Sequence, residues 1–112
     1  MTLKFSVDIQ KKEPYPVIRV SGELDVYSCP ELRKLLLSVE PGEHPIVINL
    51  EDTTYIDSTG LGTIASTART LHAQDRKVFI VCTKSSILKV FEISGLDKKN
   101  VKLVSTLEEV KG

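Results

Sequence analysis

Asp57-Ser58-Thr59-Gly60-Leu61-Gly62 is the stretch of this 112-residue chain whose residue types and spacing come nearest to chemistry. It lies between the short apolar run Ile46 to Leu50 and a segment of helical periodicity, so it reads as a strand-to-helix junction. Asp57 or Ser58 can cap the helix by accepting from the N–H groups of its first turn. Gly60 and Gly62 leave that turn bare, so another surface can approach its backbone. The result is a serine hydroxyl displayed at a helix N-terminus.

Such a hydroxyl can attack a substrate, help cradle a phosphate, or receive one. Attack requires a base within hydrogen-bond reach and an oxyanion hole. Asp57-Ser58-Thr59-Gly60 is not the Gly-x-Ser-x-Gly nucleophile elbow. His44 sits in a proline-flanked turn and His72 at the far end of the serine's own helix, so neither is a natural partner and no enzyme is expected. Nucleotide binding lacks the Gly-x-x-x-x-Gly-Lys-Ser/Thr loop, and two glycines flanking Leu61 do not make a dinucleotide fingerprint. Asp57 is not a receiver-type phospho-acceptor, because the chain opens with a hairpin rather than with alternating strand and helix. The remaining use is that Ser58 is itself a substrate, phosphorylated by another protein.

The charge pattern around Ser58 says what such a phosphate would do. From Leu35 to Ala68 there is no Lys or Arg, while Glu40, Glu43, Glu51, Asp52 and Asp57 all fall in that span. The helix N-terminus favours an added anion, but neighbouring carboxylates oppose it. A phosphate would gain little within the domain and cost much in a tight interface, so it would act as an on/off control of binding.

Composition is consistent with that role and closes off others. Lys plus Arg and Asp plus Glu number 15 each, so nothing draws the chain toward nucleic acid or an anionic membrane. No apolar run approaches the roughly 20 residues that span a bilayer, and the N-terminus lacks a signal-peptide layout, so cytoplasmic residence is expected. Cys29 and Cys82 are isolated, as are His44 and His72, so no metal or other cofactor is expected. Cys82 ends an apolar strand and reads as a buried thiol. Cys29, at a helix start, reads as a small packing residue.

The elements that must position the serine follow from periodicity. Leu3, Phe5, Val7 and Ile9 alternate with polar residues, and Val17, Ile18 and Val20 continue after the proline-bearing turn Lys11 to Pro16. These strands form an antiparallel hairpin. A helix follows, with Ser28 and Glu31 at capping-box spacing, a buried stripe of Leu32, Leu35, Leu36 and Val39, and a stop at Pro41-Gly42. Ile46 to Leu50 is a central strand covered on both sides, and Glu51 to Tyr55 reads as a polar loop. The helix after Ser58 buries Leu61, Ile64, Ala65, Ala68 and Leu71, leaving Gly62, Thr63, Ser66, Thr67 and Thr70 as a smooth outer face. Lys77 to Cys82 is another apolar strand. Thr83 or Ser85 caps a third helix, which has apolar positions to spare at Val90 or Ile93 and stops at Ser94-Gly95 with Leu96 packing back. Val101 to Val104 is a last strand, and Thr106 with Glu109 caps a short final helix. The expected fold is α/β: one domain over residues 1–112, with a mixed sheet of about five strands, an N-terminal hairpin and then alternating helix and strand. Strand order stays open, because sequential order puts the helices on one face while two all-apolar strands call for cover on both.

Taken together, Gly22-Glu23-Leu24-Asp25, Ile46 to Leu50, Asp57 to Gly62 and Lys89-Val90-Phe91-Glu92-Ile93-Ser94-Gly95-Leu96 resemble the STAS domain family, and most closely its stand-alone anti-sigma factor antagonists. The resemblance runs from about Phe5 to Val110. It implies binding to an anti-sigma factor that is also a serine kinase, which frees a sigma factor for transcription. The kinase phosphorylates the serine matching Ser58 and so inactivates the antagonist, and a metal-dependent serine phosphatase restores it. Asp25 matches an acidic position beside the phospho-acceptor, with a turn or cap role before the first helix as the alternative. Thr59 stands where many relatives have a second serine. The partner surface is therefore expected to comprise Asp25, Asp57, Ser58, Thr59, Gly60, Leu61, Gly62 and Thr63. The rival within the same fold is a scaffold or ligand-sensing module in a signalling complex not tied to a sigma factor.

Overall fold

The structure is a computed structural model that describes residues 5–11, 14–39, 44–96 and 101–110. Leu3 and the Pro41-Gly42 stop lie outside the described residues. The alternating segment forms β1 (Ser6–Lys11), which pairs antiparallel with β2 (Val17–Leu24) as the period-two pattern requires. Then follow α1 (Cys29–Ser38), β3 (Ile46–Asn49), β4 (Thr53–Ile56), α2 (Ser58–His72), β5 (Val78–Val81), α3 (Ser85–Ser94) and β6 (Val101–Val104). A 3₁₀ turn over Leu107–Glu109 takes the place of the expected final helix.

The strands run β1-β2-β3-β5-β6 across the sheet, parallel from β2 onward. This sequential order puts all three helices on one face, because right-handed crossovers between successive parallel strands return on the same side. There Ile18, Val20, Ile48 and Ile80 pack under Leu32 and Leu36 of α1, Ile64 and Leu71 of α2, and Ile87 and Phe91 of α3. The all-apolar strands β3 and β5 are explained by the opposite face. Val17, Val47, Phe79, Val81 and Val104 are buried there beneath Tyr15, Leu107 and Val110. The Tyr15 hydroxyl donates to the Leu107 carbonyl at 3.2 Å, and the Glu109 carboxylate accepts from the Thr106 amide at 2.9 Å. A short C-terminal turn thus supplies the second cover that a helix would otherwise give.

Three local expectations are corrected. Glu51 to Tyr55 is not all loop, because Thr53 to Ile56 forms β4 and pairs parallel with the second half of β2. Thr53 is fully buried, its hydroxyl donating to the Val20 carbonyl at 3.0 Å, and this satisfied polar side chain hides the strand from a hydropathy pattern. The Ser28 side chain does not cap α1. It is buried, accepts from the Asp25 amide at 2.9 Å and donates to the Glu23 carbonyl at 2.8 Å. Neither Thr83 nor Ser85 caps α3, whose N-cap is Lys84 without a side-chain bond. The Thr83 amide and hydroxyl both donate to the Glu51 carboxylate instead.

Candidate functional site

The eight residues of β2 serve two partners in turn. Val17 to Arg19 pair with β3, and Gly22 to Leu24 pair with β4. Between them the chain leaves the sheet after Asn49 and turns through Leu50 to Asp52, where the Thr53 amide donates to the Leu50 carbonyl at 3.0 Å. Gly22 takes φ 90°, a conformation that disfavours any residue with a Cβ, and its amide donates to the Asp52 carbonyl at 3.1 Å. The pairing shifts register at this point, and β4 then aligns Glu23 with Tyr55 and Leu24 with Ile56. Two adjacent parallel strands therefore end side by side, one delivering Asp25 and the other Asp57 and Ser58.

Each end is closed by its aspartate. Asp57 is the N-cap of α2, its Oδ1 accepting from the Gly60 amide at 2.8 Å, while its own amide donates to the Leu24 carbonyl at 3.2 Å. Asp25 accepts on Oδ1 from the amides of Tyr27 at 3.0 Å and Ser28 at 3.2 Å, and its carbonyl receives the first amide of α1, that of Cys29, at 2.9 Å. The turn role weighed for Asp25 is thus present, on the strand next to the one that leads to Ser58.

α2 turns its residues differently from the expected inner stripe and outer face. Ser58 and Thr59 are exposed, Leu61 is half-buried against the core, and Gly62 is exposed with nothing within 4 Å of where a Cβ would stand. Gly60 is buried: a Cβ there would lie 2.7 Å from the Leu24 carbonyl oxygen and 2.8 Å from Ile56 Cγ1. The surface approaching this bare backbone is the protein's own. Thr63 and Thr67 are also buried, not on a smooth outer face. Their small side chains let α1 and α2 pack closely, and Thr63 hydrogen-bonds the Cys29 thiol. The exposed members of the expected partner set are therefore Ser58, Thr59 and Gly62, with Asp25 and Asp57 partly buried beside them and Gly60 and Thr63 directed inward.

Cys29 reports the electrostatics of this corner. Burial pushes its thiol up from the ordinary value; Asp57 and Asp25 push it further, while the Thr63 hydrogen bond and Arg33 pull it down. The influence of Arg33 is the weakest of these, so the carboxylates dominate the field felt here. Arg19 is engaged elsewhere, pairing with Asp8 at 3.4 Å between β2 and β1. Both cysteines are buried and free of disulfides, as packing residues should be. Among the described residues no cluster of His, Cys, Asp or Glu could hold a metal ion, and no helix is long and apolar enough to cross a membrane.

A hairpin feeding sequential β-α units, with a serine exposed at the start of the second helix, defines the class. The chain belongs to the STAS domain family, whose model matches residues 6–110. It is 35% identical over 95 residues to the anti-sigma-B factor antagonist of Staphylococcus aureus strain NCTC 8325, covering 84% of this chain and 88% of that protein. Its fold is similar to that of an anti-sigma factor antagonist from Mycobacterium paratuberculosis, with TM-score 0.83, 24% identity, and coverage of 95% of this chain and 90% of the other. It is also similar to the Bacillus cell fate determinant SpoIIAA solved in its phosphorylated form, with TM-score 0.67, 27% identity and 95% of both chains covered.

Proposed function

We infer that this chain is a non-catalytic anti-sigma factor antagonist that binds an anti-sigma factor serine kinase, releasing a sigma factor, and that phosphorylation of Ser58 switches the binding off. The observation that carries this reading is the setting of Ser58. It is exposed at the start of α2, one residue beyond the Asp57 cap and beside the strand end that carries Asp25. The likeness to proteins named anti-sigma factor antagonists, one of them solved in a phosphorylated form, supports it.

The switch follows from what the site offers a phosphate. The helix N-terminus attracts it, but the Gly60 amide is already taken by Asp57. Two carboxylates stand at the adjoining strand ends, and at the neighbouring Cys29 thiol each has a stronger influence than Arg33. The phosphate therefore finds no strong receptor in its own domain and has no cause to rearrange the fold. Within the complex, Ser58 must lie against the kinase's nucleotide, whose phosphates repel a second set of negative charges. Binding is lost while the domain stays folded, and a serine phosphatase restores it.

The test mixes the purified protein with the anti-sigma kinases of its own cell, magnesium and ATP, and maps any added phosphate by mass spectrometry. One phosphate on Ser58, delivered by one kinase, is the expected result. Folded protein that takes no phosphate from any active kinase would turn the reading toward a scaffold or ligand-sensing module. Ser58→Ala should bind the kinase and remain unmodified.

A further inference from the structure

The end of the sheet that displays Ser58 also carries an unusual share of the molecule's exposed apolar surface. Among the described residues the large exposed hydrophobic side chains are Ile9, Val26, Tyr27, Leu37, Tyr55 and Ile93. Val26 and Tyr27 belong to the turn closed by Asp25, two and three residues beyond Leu24. Tyr55 stands on β4 opposite Glu23, and Leu24 is paired with Ile56 two residues before Ser58. Val26 is 56%, Tyr27 89% and Tyr55 52% exposed. Every exposed aromatic side chain among the described residues is therefore here, since Phe79 and Phe91 are buried, Phe5 is half-buried and Tyr15 covers the second face.

Tyrosines are among the residues that dominate protein interfaces, because a large rigid ring with a polar tip orders at little entropic cost. The surrounding charge is mainly acidic: Arg33 has the weakest influence at Cys29, and the Lys84 ammonium is held by the Thr53 carbonyl. Val20 to Leu32 contains Glu23, Asp25 and Glu31 with no Lys or Arg, and Leu35 to Ala68 is likewise without a cation. Exposed apolar side chains flanked by Glu23 and Asp25 are complementary to a pocket edged by bases.

We propose that Val26, Tyr27 and Tyr55 are the apolar anchors by which the anti-sigma kinase grips this chain, seated in a pocket of that partner rimmed by lysine or arginine. This rests on the function inferred above. Tyr27 is the principal anchor, being the most exposed and standing on the turn next to the phospho-acceptor. Glu23 and Asp25 meet the basic rim, and Ser58 is left facing the nucleotide. The kinase then recognises this chain chiefly by the tyrosine corner and senses the chain's phosphorylation state at Ser58.

The experiment measures association and dissociation with the kinase that phosphorylates Ser58, at low and high salt, alongside phosphate mapping. Tyr27→Ala should weaken binding about 30-fold, mainly through faster dissociation, and Tyr55→Ala about fivefold, with Tyr27→Phe close to the parent. Glu23→Gln should slow association and reduce its salt dependence. Leu37→Ala and Ile93→Ala, also exposed but on the outer faces of α1 and α3, should bind as the parent does. Thermal melting of each variant verifies that it is folded. If the parent binds and is phosphorylated on Ser58, yet both tyrosine variants stay within about twofold of it, the anchor is overturned and the function stands. If Ile93→Ala weakens binding as much as Tyr27→Ala, the grip lies elsewhere. A parent that neither binds nor is phosphorylated overturns both.

Discussion

α2 and α3 begin alike and end up differently equipped. Each follows a parallel strand and places an exposed serine in its first turn, Ser58 in one and Ser85 in the other. Each has a buried cysteine nearby, Cys29 and Cys82. At α2 the cap is a carboxylate, a second carboxylate sits on the neighbouring strand end, and two tyrosines are exposed alongside. At α3 the N-cap is Lys84, which makes no cap bond and donates its ammonium to the Thr53 carbonyl at 2.9 Å, while the Thr83 hydroxyl donates to Glu51 at 2.8 Å. The start of α3 is used to fasten the loop before β4, the strand that delivers Ser58. A helix N-terminus with a serine is thus a common part, and its use is decided by the charges and side chains that converge on it.

The contrast can be broken most severely at the third helical residue, Gly60 in α2 and Ile87 in α3. Gly60→Ala pushes a Cβ against the Leu24 carbonyl and Ile56, which are backbone and core that cannot give way, and should lose about 3 kcal/mol in urea unfolding. Gly62→Ala, two residues on and facing open space, should gain up to about 1 kcal/mol. Equal effects of the two would mean that α2 does not lie against β2 and β4 as described. Next in size is a charge placed on either serine. Ser58→Asp should change stability by at most about 1 kcal/mol while kinase binding falls about 100-fold. Ser85→Asp should leave binding untouched and add about 0.5 kcal/mol by supplying an acid where α3 has no side-chain cap. Binding lost in both variants would show that charge anywhere on this edge suffices. Asp57→Ala should then cost about 1 kcal/mol as the Gly60 amide loses its acceptor, with Asp57→Asn recovering most of it.

The elements of α2 were readable because Ile64, Ala68 and Leu71 recur at helical spacing and Asp57 precedes them. The hairpin, β3, β5, β6 and the Gly95 stop of α3 were readable for similar local reasons, and Ile93 is indeed the exposed surplus of that helix. What escaped were features set by a neighbour distant in sequence. Thr53-Thr54-Tyr55-Ile56 has the β-branched and aromatic residues that strands favour, but its polarity reads as loop until β2 is present to receive the Thr53 hydroxyl. Ser28 and Glu31 have the same capping spacing as Thr106 and Glu109. Only the second pair forms the cap, because Asp25 and the Glu23 carbonyl claim the Ser28 hydroxyl first. Likewise the inward turn of Thr63 and Thr67 depends on α1 lying against α2, so small residues that looked like an outer surface are a helix-helix contact. The serine at the start of α2 was legible; the strand that brings it beside Asp25 was not.

The smallest expected effect compares the two cysteines. Burial is the leading cause that raises each thiol above its ordinary value of 9.0. Around Cys29 the carboxylates of Asp57 and Asp25 add to that rise, whereas around Cys82 the Glu51 carboxylate adds to it and the backbone and ammonium of Lys84 oppose it. A thiol raised in the folded state keeps its proton where the unfolded chain has released its own, so the native state binds more protons. Stability from both groups is therefore complete below about pH 9 and declines as pH rises toward and through the raised native values. Unfolding measured at pH 7, 9 and 10 should show this decline, less steep in Cys29→Ala and less steep again when Cys82→Ala is added. Each single variant, Cys29→Ala or Cys82→Ala, should flatten the slope on its own, because each thiol is raised in the folded state. A slope left unchanged by either substitution would mean that the fold does not raise that thiol.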